Sequence, residues 1–319
     1  MSEPSPPPAP PSSGLGDAAL ARLRAVVDAP DVSGTRYELL EPIGRGGMGA
    51  VWRAYDRQLE RDVALKVLAV HDDDAARTLA GWLEREAKVL ARLEHPGIVP
   101  VHDTGVLPDG RPYYAMKLVR GPRLDQLVHA GLPEGERFRI FARVCEAVAF
   151  AHARGVVHRD LKPGNVMVGE FGEVLVLDWG LARVRGMAGG ADRGVRVGTV
   201  GWMAPEQEAG AEDVDARADV FSLGRLFDSL GMRGKTPAAI VARATAPARE
   251  ERYASVLELA DEVARFQADE PVRALPERIG VRLARIYRRY RAVVWLIATY
   301  LALRTAFELW RVWGRGAGD

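Results

Sequence analysis

The chain has 319 residues, of which 48% are hydrophobic and 27% charged, and this composition excludes a mainly disordered or fibrous protein. The 44 basic and 43 acidic residues leave a net charge of +1, so no global field marks nucleic acid as the partner. The single cysteine, Cys145, excludes an internal disulfide, and no cysteine or histidine has zinc-ligand spacing, which predicts an intracellular, zinc-free protein.

Residues 1–36 precede the first strand pattern. The first fourteen residues contain six prolines and predict a disordered tail, whereas residues 17–29 fit a short helix. The chain does not start with a basic segment followed by an apolar one, so we expect no signal peptide and a cytoplasmic location.

Short β-type runs begin at Tyr37 and are separated by a glycine cluster and a polar turn, which predicts an antiparallel meander. Apolar residues at helical spacing follow over 75–93, so a sheet and one helix form a first lobe over 37–118. Gly121 and Pro122 then interrupt the pattern, and a mostly helical second lobe extends over 119–270. The sequence therefore predicts two lobes with a hinge near residues 117–121.

The glycine cluster has the pattern GxGxxGxV, with Gly44, Gly46, Gly49 and Val51 at its fixed positions. A strand follows it, so the glycines belong to a hairpin turn and not to a dinucleotide-binding turn, which leads into a helix. Such a turn lets backbone amides approach phosphate oxygens without Cβ clashes. A plain glycine hairpin with no ligand remains the alternative.

Lys66 and Glu86 form a candidate ion pair between the third strand and the helix. Alternation places Ala64 and Lys66 on the face of the strand directed toward the glycine turn. Glu86 falls within the apolar stripe of the helix, where a carboxylate is costly unless it is paired. The alternative is that Glu86 lies at the edge of the stripe as a solvated charge.

A β-hairpin follows the segment His158 to Asn165. Folding this hairpin makes Asn165 and Asp178 near cross-strand neighbours, roughly 5 Å apart. Two oxygen ligands at one point suit a magnesium ion carried by nucleotide phosphates, because magnesium retains several waters and needs only one or two protein oxygens. Asp160 is then free to orient and deprotonate a hydroxyl group.

With these motifs in this order, the chain resembles the bacterial, eukaryotic-like serine/threonine protein kinases. The resemblance extends over roughly residues 37–270. It rests on the ordered motifs GRGGMGAV, VALKVL, REAKVLARLEHPGIV, HRDLKPGN, DWG, GTVGWMAPE, DVFSLG and ERYAS. It implies an α+β, two-lobed protein kinase fold, with ATP and Mg²⁺ as cofactors and protein Ser/Thr hydroxyls as substrates.

The resemblance also implies a role for each matched residue. Asp160 is the catalytic base, Lys162 neutralises the transferred phosphoryl group, and Lys66 paired with Glu86 holds the α- and β-phosphates. Asn165 and Asp178 bind magnesium. The nucleotide-binding residues are Gly44, Gly46, Gly49, Val51, Ala64, Lys66, Met116 and Met167. Outside the chemistry, Glu206 pairs with Arg252, and Asp219 anchors the catalytic loop.

Three features depart from the family pattern. Trp179 replaces the usual phenylalanine and predicts a motif that switches less readily. Residues 181–197 contain no Ser, Thr or Tyr, so activation by phosphorylation within that stretch is excluded. The region after Gly224 lacks the longer helix and loop beside the substrate groove, so we expect restricted substrates or mainly autophosphorylation. A nucleotide-binding pseudokinase scaffold is the alternative function.

The C-terminal region changes character. Residues 271–291 contain seven arginines and one acid and predict a basic juxtamembrane segment, and residues 292–313 predict a membrane-associated or transmembrane helix before a tail at 314–319. We expect this helix to anchor the kinase at an anionic membrane surface, either spanning the bilayer or lying flat. A helix packed on the kinase domain is the alternative.

Overall fold

The computed structural model describes residues 29–46, 49–68, 87, 90–91, 93–179, 183–184, 198–211, 213–275 and 290–307. A five-stranded antiparallel sheet forms the first lobe, in the order β1-β2-β3-β5-β4. Its strands are β1 (Tyr37–Gly46), β2 (Gly49–Asp56), β3 (Arg61–Leu68), β4 (Val101–Val106) and β5 (Pro112–Lys117). The meander predicted for the first three strands is confirmed.

The two faces of β3 have different environments, as the alternation of its sequence predicts. Val63, Leu65 and Val67 are buried in an apolar cluster of the first lobe. Lys66 lies on the opposite face and is only partly buried. The sheet therefore contributes one face to the core and turns the lysine away from it.

The second lobe is mostly helical. Its helices are α1 (Leu124–His129), α2 (Glu134–Ala153), α3 (Pro205–Glu208), α4 (Arg217–Ser229), α5 (Lys235–Ala244) and α6 (Val256–Gln267). Its short strands are β6 (Val156–Val157), β7 (Val166–Val168), β8 (Val174–Val176) and β9 (Arg183–Val184). β7 pairs with β8 and β6 with β9, each pair antiparallel.

The core of this lobe is built around α2, whose apolar residues are covered by neighbouring helices. Phe141 of α2 packs on Phe227 of α4, with ring centroids 5.0 Å apart. α4 leads to α5 through residues 230–234 alone, so no further helix separates them. The short connection predicted after Gly224 is therefore present.

Several predicted segments lie wholly or largely outside the described residues. These include the helix at 17–29 and most of the helix at 75–93, of which Ala87, Leu90 and Leu93 are described and buried. Residues 290–307 form a helix, α7, in which every residue is exposed. Among the described helices, none combines the length and the apolar character required to cross a membrane.

Candidate active site

Gly46, the last residue of β1, pairs with Gly49, the first residue of β2. Gly49 has φ +152°, a conformation that L side chains rarely adopt, and a Cβ there would collide with the Val67 carbonyl. Gly44 has room for a Cβ, whose nearest neighbour would be the Cβ of Val51 at 3.8 Å. Glycine is therefore sterically required at position 49, whereas position 44 has room for a side chain.

The predicted nucleotide-binding residues lie beside these glycines. Val51 of β2 is opposite Lys66 of β3, and Ala64 is opposite Met116 of β5. Met167 of β7 is paired by an isolated bridge to Arg123, just after the hinge. The residues that the resemblance assigns to nucleotide binding are thus contributed by both lobes.

Lys66 and Asp178 connect the two lobes directly. The distance from Lys66 Nζ to Asp178 Oδ1 is 2.7 Å, and the ammonium also lies 5.6 Å from the centre of the Tyr114 ring. Desolvation raises the pKa of Asp178, but Lys66, His158 and Lys162 lower it by more, so the pKa lies below its ordinary value. Asp178 is therefore ionised at neutral pH and is available as an oxygen ligand.

The ion pair between Lys66 and Glu86 stays a prediction, because Glu86 lies outside the described residues. The contact of Lys66 with Asp178 was not part of the sequence prediction. These residues are 112 positions apart, and their contact depends on how the lobes close on each other.

Asp219 of α4 anchors the catalytic loop. Its carboxylate accepts hydrogen bonds of 2.8 Å from the His158 and Arg159 amides, and His152 Nε2 lies 2.7 Å from Oδ2. Arg159 has φ +72°, an uncommon conformation for a residue with a side chain. A buried, ionised Asp219 stabilises the turn that presents Asp160, as expected from the resemblance.

Asp160, Lys162 and Thr199 form the centre of the site. Thr199 Oγ1 donates a hydrogen bond of 2.7 Å to Asp160 Oδ1, and Lys162 Nζ lies 2.8 Å from Asp160 Oδ2. Lys162 also donates to Thr199 Oγ1 at 2.6 Å. The carboxylate therefore accepts a hydrogen bond from a hydroxyl group beside an ammonium group, which is the arrangement that hydroxyl deprotonation requires.

Asn165 is adjacent to this centre. Its Nδ2 donates to the Asp160 carbonyl at 2.8 Å and to Asp160 Oδ2 at 3.1 Å. The amide oxygen makes neither of these bonds and can serve as a ligand. In the hairpin register, Asn165 is opposite Leu177, whose amide donates to its carbonyl at 2.8 Å.

The residue directly opposite Asn165 is therefore Leu177, and Asp178, the predicted near neighbour of Asn165, is the next residue along the chain. Asp178 lies beyond the end of β8 and has φ +63°, outside the extended conformation. No cluster of three or more His, Cys, Asp or Glu side chains suited to a metal ion is found within the described residues. One amide oxygen and one carboxylate fit the smaller ligand set of a magnesium ion that also binds phosphates.

The segment after Thr199 is held on α4. Ser222 Oγ donates to the Trp202 carbonyl at 2.8 Å, and Arg225 Nε donates to the Gly201 carbonyl at 3.2 Å. Val200 is exposed at the surface of this segment. We refer to residues 199–202 as the substrate loop.

A buried ion pair braces the second lobe, as the resemblance predicts. Arg252 Nη1 and Nη2 each lie 2.7 Å from a different carboxylate oxygen of Glu206. The guanidinium group also donates to the carbonyls of Ala246, Arg217 and Pro247. Every N–H group of the guanidinium therefore donates a hydrogen bond.

Sequence reasoning did not identify Gln207 and His152, and it singled out Trp179 without the hydrogen bond that this residue makes. Gln207 donates to the Arg159 carbonyl, His152 contacts Asp219, and Trp179 donates from its indole to the Val176 carbonyl. The substitution of tryptophan for the usual phenylalanine was a signal for the third. Gln207 and His152 gave no signal, because a single polar residue in a helix is more often solvated.

Comparison with known proteins agrees with this geometry. The model of the protein kinase domain family matches residues 37–264. The serine/threonine-protein kinase PknB of Mycolicibacterium smegmatis is 43% identical over 198 residues, which are 59% of this chain and 31% of that protein. PknB of Mycobacterium tuberculosis strain H37Rv is 42% identical over 198 residues, covering 59% of this chain and 31% of that protein.

A third relative is the DNA damage-responsive serine/threonine-protein kinase RqkA of Deinococcus radiodurans. It is 43% identical over 201 residues, which are 60% of this chain and 29% of that protein. The chain thus spans only about a third of the length of the curated relatives that it matches. The family match covers most of the chain, and the chain belongs to the protein kinase family, in its bacterial, eukaryotic-like serine/threonine branch.

Proposed function

We propose that the chain is a protein kinase that transfers the γ-phosphoryl group of ATP to Ser or Thr hydroxyl groups of proteins. The observation that carries this proposal is the contact of a hydroxyl, Thr199 Oγ1, with both Asp160 and Lys162. In this contact the carboxylate is within hydrogen-bonding range of a hydroxyl while an ammonium group lies beside it.

In the proposed reaction, the oxygen of the acceptor hydroxyl forms a bond to the γ-phosphorus. The bond between that phosphorus and the bridging oxygen breaks, and ADP leaves with the electron pair. Asp160 accepts the hydroxyl proton, and Lys162 neutralises charge on the transferred group. The Thr199 hydroxyl donates a hydrogen bond to the Asp160 carboxylate, and an incoming acceptor hydroxyl can replace or share this bond.

The nucleotide is held by groups from both lobes. The turn at Gly49 presents backbone amides to the phosphates, Lys66 holds the α- and β-phosphates, and Val51 and Ala64 cover the adenine. Asn165 and Asp178 would hold magnesium through one amide oxygen and one carboxylate. When bound, the ion would neutralise charge on the phosphates.

The acceptor specificity can be tested with radiolabelled ATP. The protein is incubated with [γ-³²P]ATP, Mg²⁺ and a mixture of unstructured proteins, and the labelled products are hydrolysed to single amino acids. We expect phosphoserine and phosphothreonine. Phosphotyrosine as the main product would contradict the proposed acceptor class, and absence of label in all proteins would contradict phosphotransfer.

A second candidate is a nucleotide-binding scaffold without turnover. It is favoured by the direct connection of α4 to α5 through residues 230–234, which leaves the substrate loop supported by Ser222 and Arg225 of α4. The same labelling experiment separates the two candidates. Nucleotide binding without incorporation, even into the chain itself, would identify the scaffold.

We also propose that α7 binds an anionic membrane surface. Apolar side chains of this helix, including Trp295, Leu296 and Leu303, are more than half exposed. The hydroxyls of Thr299 and Thr305 donate to the carbonyls four residues earlier, which hides their polarity from the surroundings. The seven arginines of residues 271–291 add attraction to anionic lipid headgroups.

Sedimentation with vesicles tests this proposal. We expect the full chain to pellet with vesicles of phosphatidylserine and phosphatidylcholine and to be released by high salt in part only. A chain ending at residue 275 is the matched control and should remain in the supernatant. Equal pelleting of the two chains would contradict membrane binding by this region.

A further inference from the structure

A closed ring of hydrogen bonds joins the catalytic loop to the β7–β8 hairpin. The Asp160 amide donates to His158 Nδ1 at 3.2 Å, so the imidazole proton is on Nε2, which donates to the Leu177 carbonyl at 3.0 Å. The Leu177 amide donates to the Asn165 carbonyl at 2.8 Å. Asn165 Nδ2 closes the ring at the Asp160 carbonyl. The backbone immediately before Asp178 is therefore fixed.

Trp179 fixes the backbone on the other side of Asp178. Its indole Nε1 donates to the Val176 carbonyl at 3.2 Å, a bond that spans Leu177 and Asp178. Its ring is completely buried, and its centroid lies 4.5 Å from that of His158. The indole thus rests on the histidine that belongs to the hydrogen-bonded ring.

Asp178 needs such support because its backbone is strained. Its φ of +63° is uncommon for a residue other than glycine. Without support from its surroundings, the population of this conformation would be lower by a factor on the order of five or more. Such a conformation persists only where the surrounding structure holds it. A backbone rearrangement of Asp178 that turned its carboxylate away from Lys66 would move the segment between Val176 and Trp179 and break the indole bond.

Phenylalanine, the usual residue at this position of the family, has no N–H group and cannot make this bond. We propose that Trp179 is a positioning residue whose indole N–H holds Asp178 in the orientation that binds the nucleotide's metal ion. This inference rests on the proposed function, because it assigns Asp178 to the metal. It adds that the motif of this chain favours the metal-binding conformation more strongly than a phenylalanine would.

The test compares binding of the nucleotide analogue AMP-PNP with and without Mn²⁺, measured by calorimetry. The dissociation constant without Mn²⁺, divided by the dissociation constant with Mn²⁺, reports how much the metal strengthens nucleotide binding. Trp179→Phe removes the N–H and part of the ring, whereas replacement by 3-benzothienylalanine removes the N–H and keeps the ring size. Phe141→Leu, in the core of α2, is a matched control that lowers stability through a different contact, the packing of Phe141 on Phe227.

We expect the ratio to fall about fivefold in both Trp179 variants, the effect of one hydrogen bond. It should change less than twofold in the Phe141→Leu control. An unchanged ratio in both variants overturns the proposal, and so does a fall in the phenylalanine variant alone, since ring volume would then be the cause. If wild-type protein binds neither form of AMP-PNP, the proposed function itself fails, which is a different outcome from an unchanged ratio.

Discussion

The hydroxyl of Thr199 and the carboxylate of Asp160 are joined by a hydrogen bond of 2.7 Å although 39 positions separate the two residues. Lys162 contacts both groups. The substrate loop and the catalytic loop are therefore fastened together at the point where the acceptor hydroxyl would react.

Removing the Thr199 hydroxyl should slow the reaction without preventing folding. Hydrogen bonds to charged groups contribute about 1.5–3 kcal/mol, so Thr199→Ala should lower kcat about 10- to 100-fold. Thr199→Ser keeps the hydroxyl and should retain most of the activity. Steady-state kinetics measure both variants, and an alanine variant as active as the serine variant would show that the contact has no part in catalysis.

Breaking the pair of Arg252 and Glu206 should destabilise the second lobe strongly. The Arg252 side chain is fully buried, so Glu206→Ala leaves an uncompensated charge and should lower the free energy of unfolding by about 3–5 kcal/mol. The exposed pair of Arg143 and Glu146 provides the control, because Glu146→Ala should cost less than about 1 kcal/mol. Urea unfolding measures both, and similar losses for the two variants would contradict this account.

Acid should destabilise the catalytic loop through Asp219. Burial raises the pKa of this carboxyl, whereas contacts from His152, His158 and Arg159 lower it by more, so its folded value is below the ordinary one. The ionised carboxyl therefore stabilises the folded protein at pH values above its pKa in the unfolded chain, which is about 3.9. This stabilisation is lost as the pH falls through the lower pKa that the carboxyl has in the folded protein.

His152→Phe removes one of the groups that lower the pKa of Asp219, so the acid unfolding midpoint should move to higher pH. Circular dichroism during an acid titration measures the midpoint. His129→Phe is the control, because His129 is exposed and its ring nitrogen contacts a backbone carbonyl. A midpoint that moves equally in both variants would refute the role of His152.

Full activity should not require phosphorylation, either at Thr199 or within residues 181–197. This stretch contains no Ser, Thr or Tyr, so its arginines have no local phosphate to gather. Protein treated with phosphatase should therefore retain its rate in the first minutes of assay. A requirement for phosphorylated Thr199, detected by mapping the active protein, would overturn this prediction.

Much of the fold could be predicted because the relevant signals are local. Alternation in β3 separates Leu65, which is completely covered, from its neighbour Lys66 on the opposite face. The β7–β8 hairpin likewise follows from two apolar runs around a glycine turn. Both features depend only on residues that are close together in the chain.

The remaining contacts depend on long-range closure and could not be read from periodicity. Lys66 meets Asp178 across the two lobes, and Asp178 itself lies beyond the end of β8 with φ +63°. Likewise, no sequence pattern shows that the Trp179 indole reaches the Val176 carbonyl. The side-chain composition of the site was therefore predictable, whereas its hydrogen bonds required the structure.

The most direct measurement is transfer of label from [γ-³²P]ATP in the presence of Mg²⁺, with wild-type protein and Asp160→Asn compared at equal nucleotide occupancy. Loss of a general base lowers rates about 10²- to 10⁴-fold. We expect the variant to bind nucleotide as the wild type does and to transfer label at least about 10²-fold more slowly. Equal transfer by the two proteins, or none by either, would contradict the assignment of Asp160 as the base.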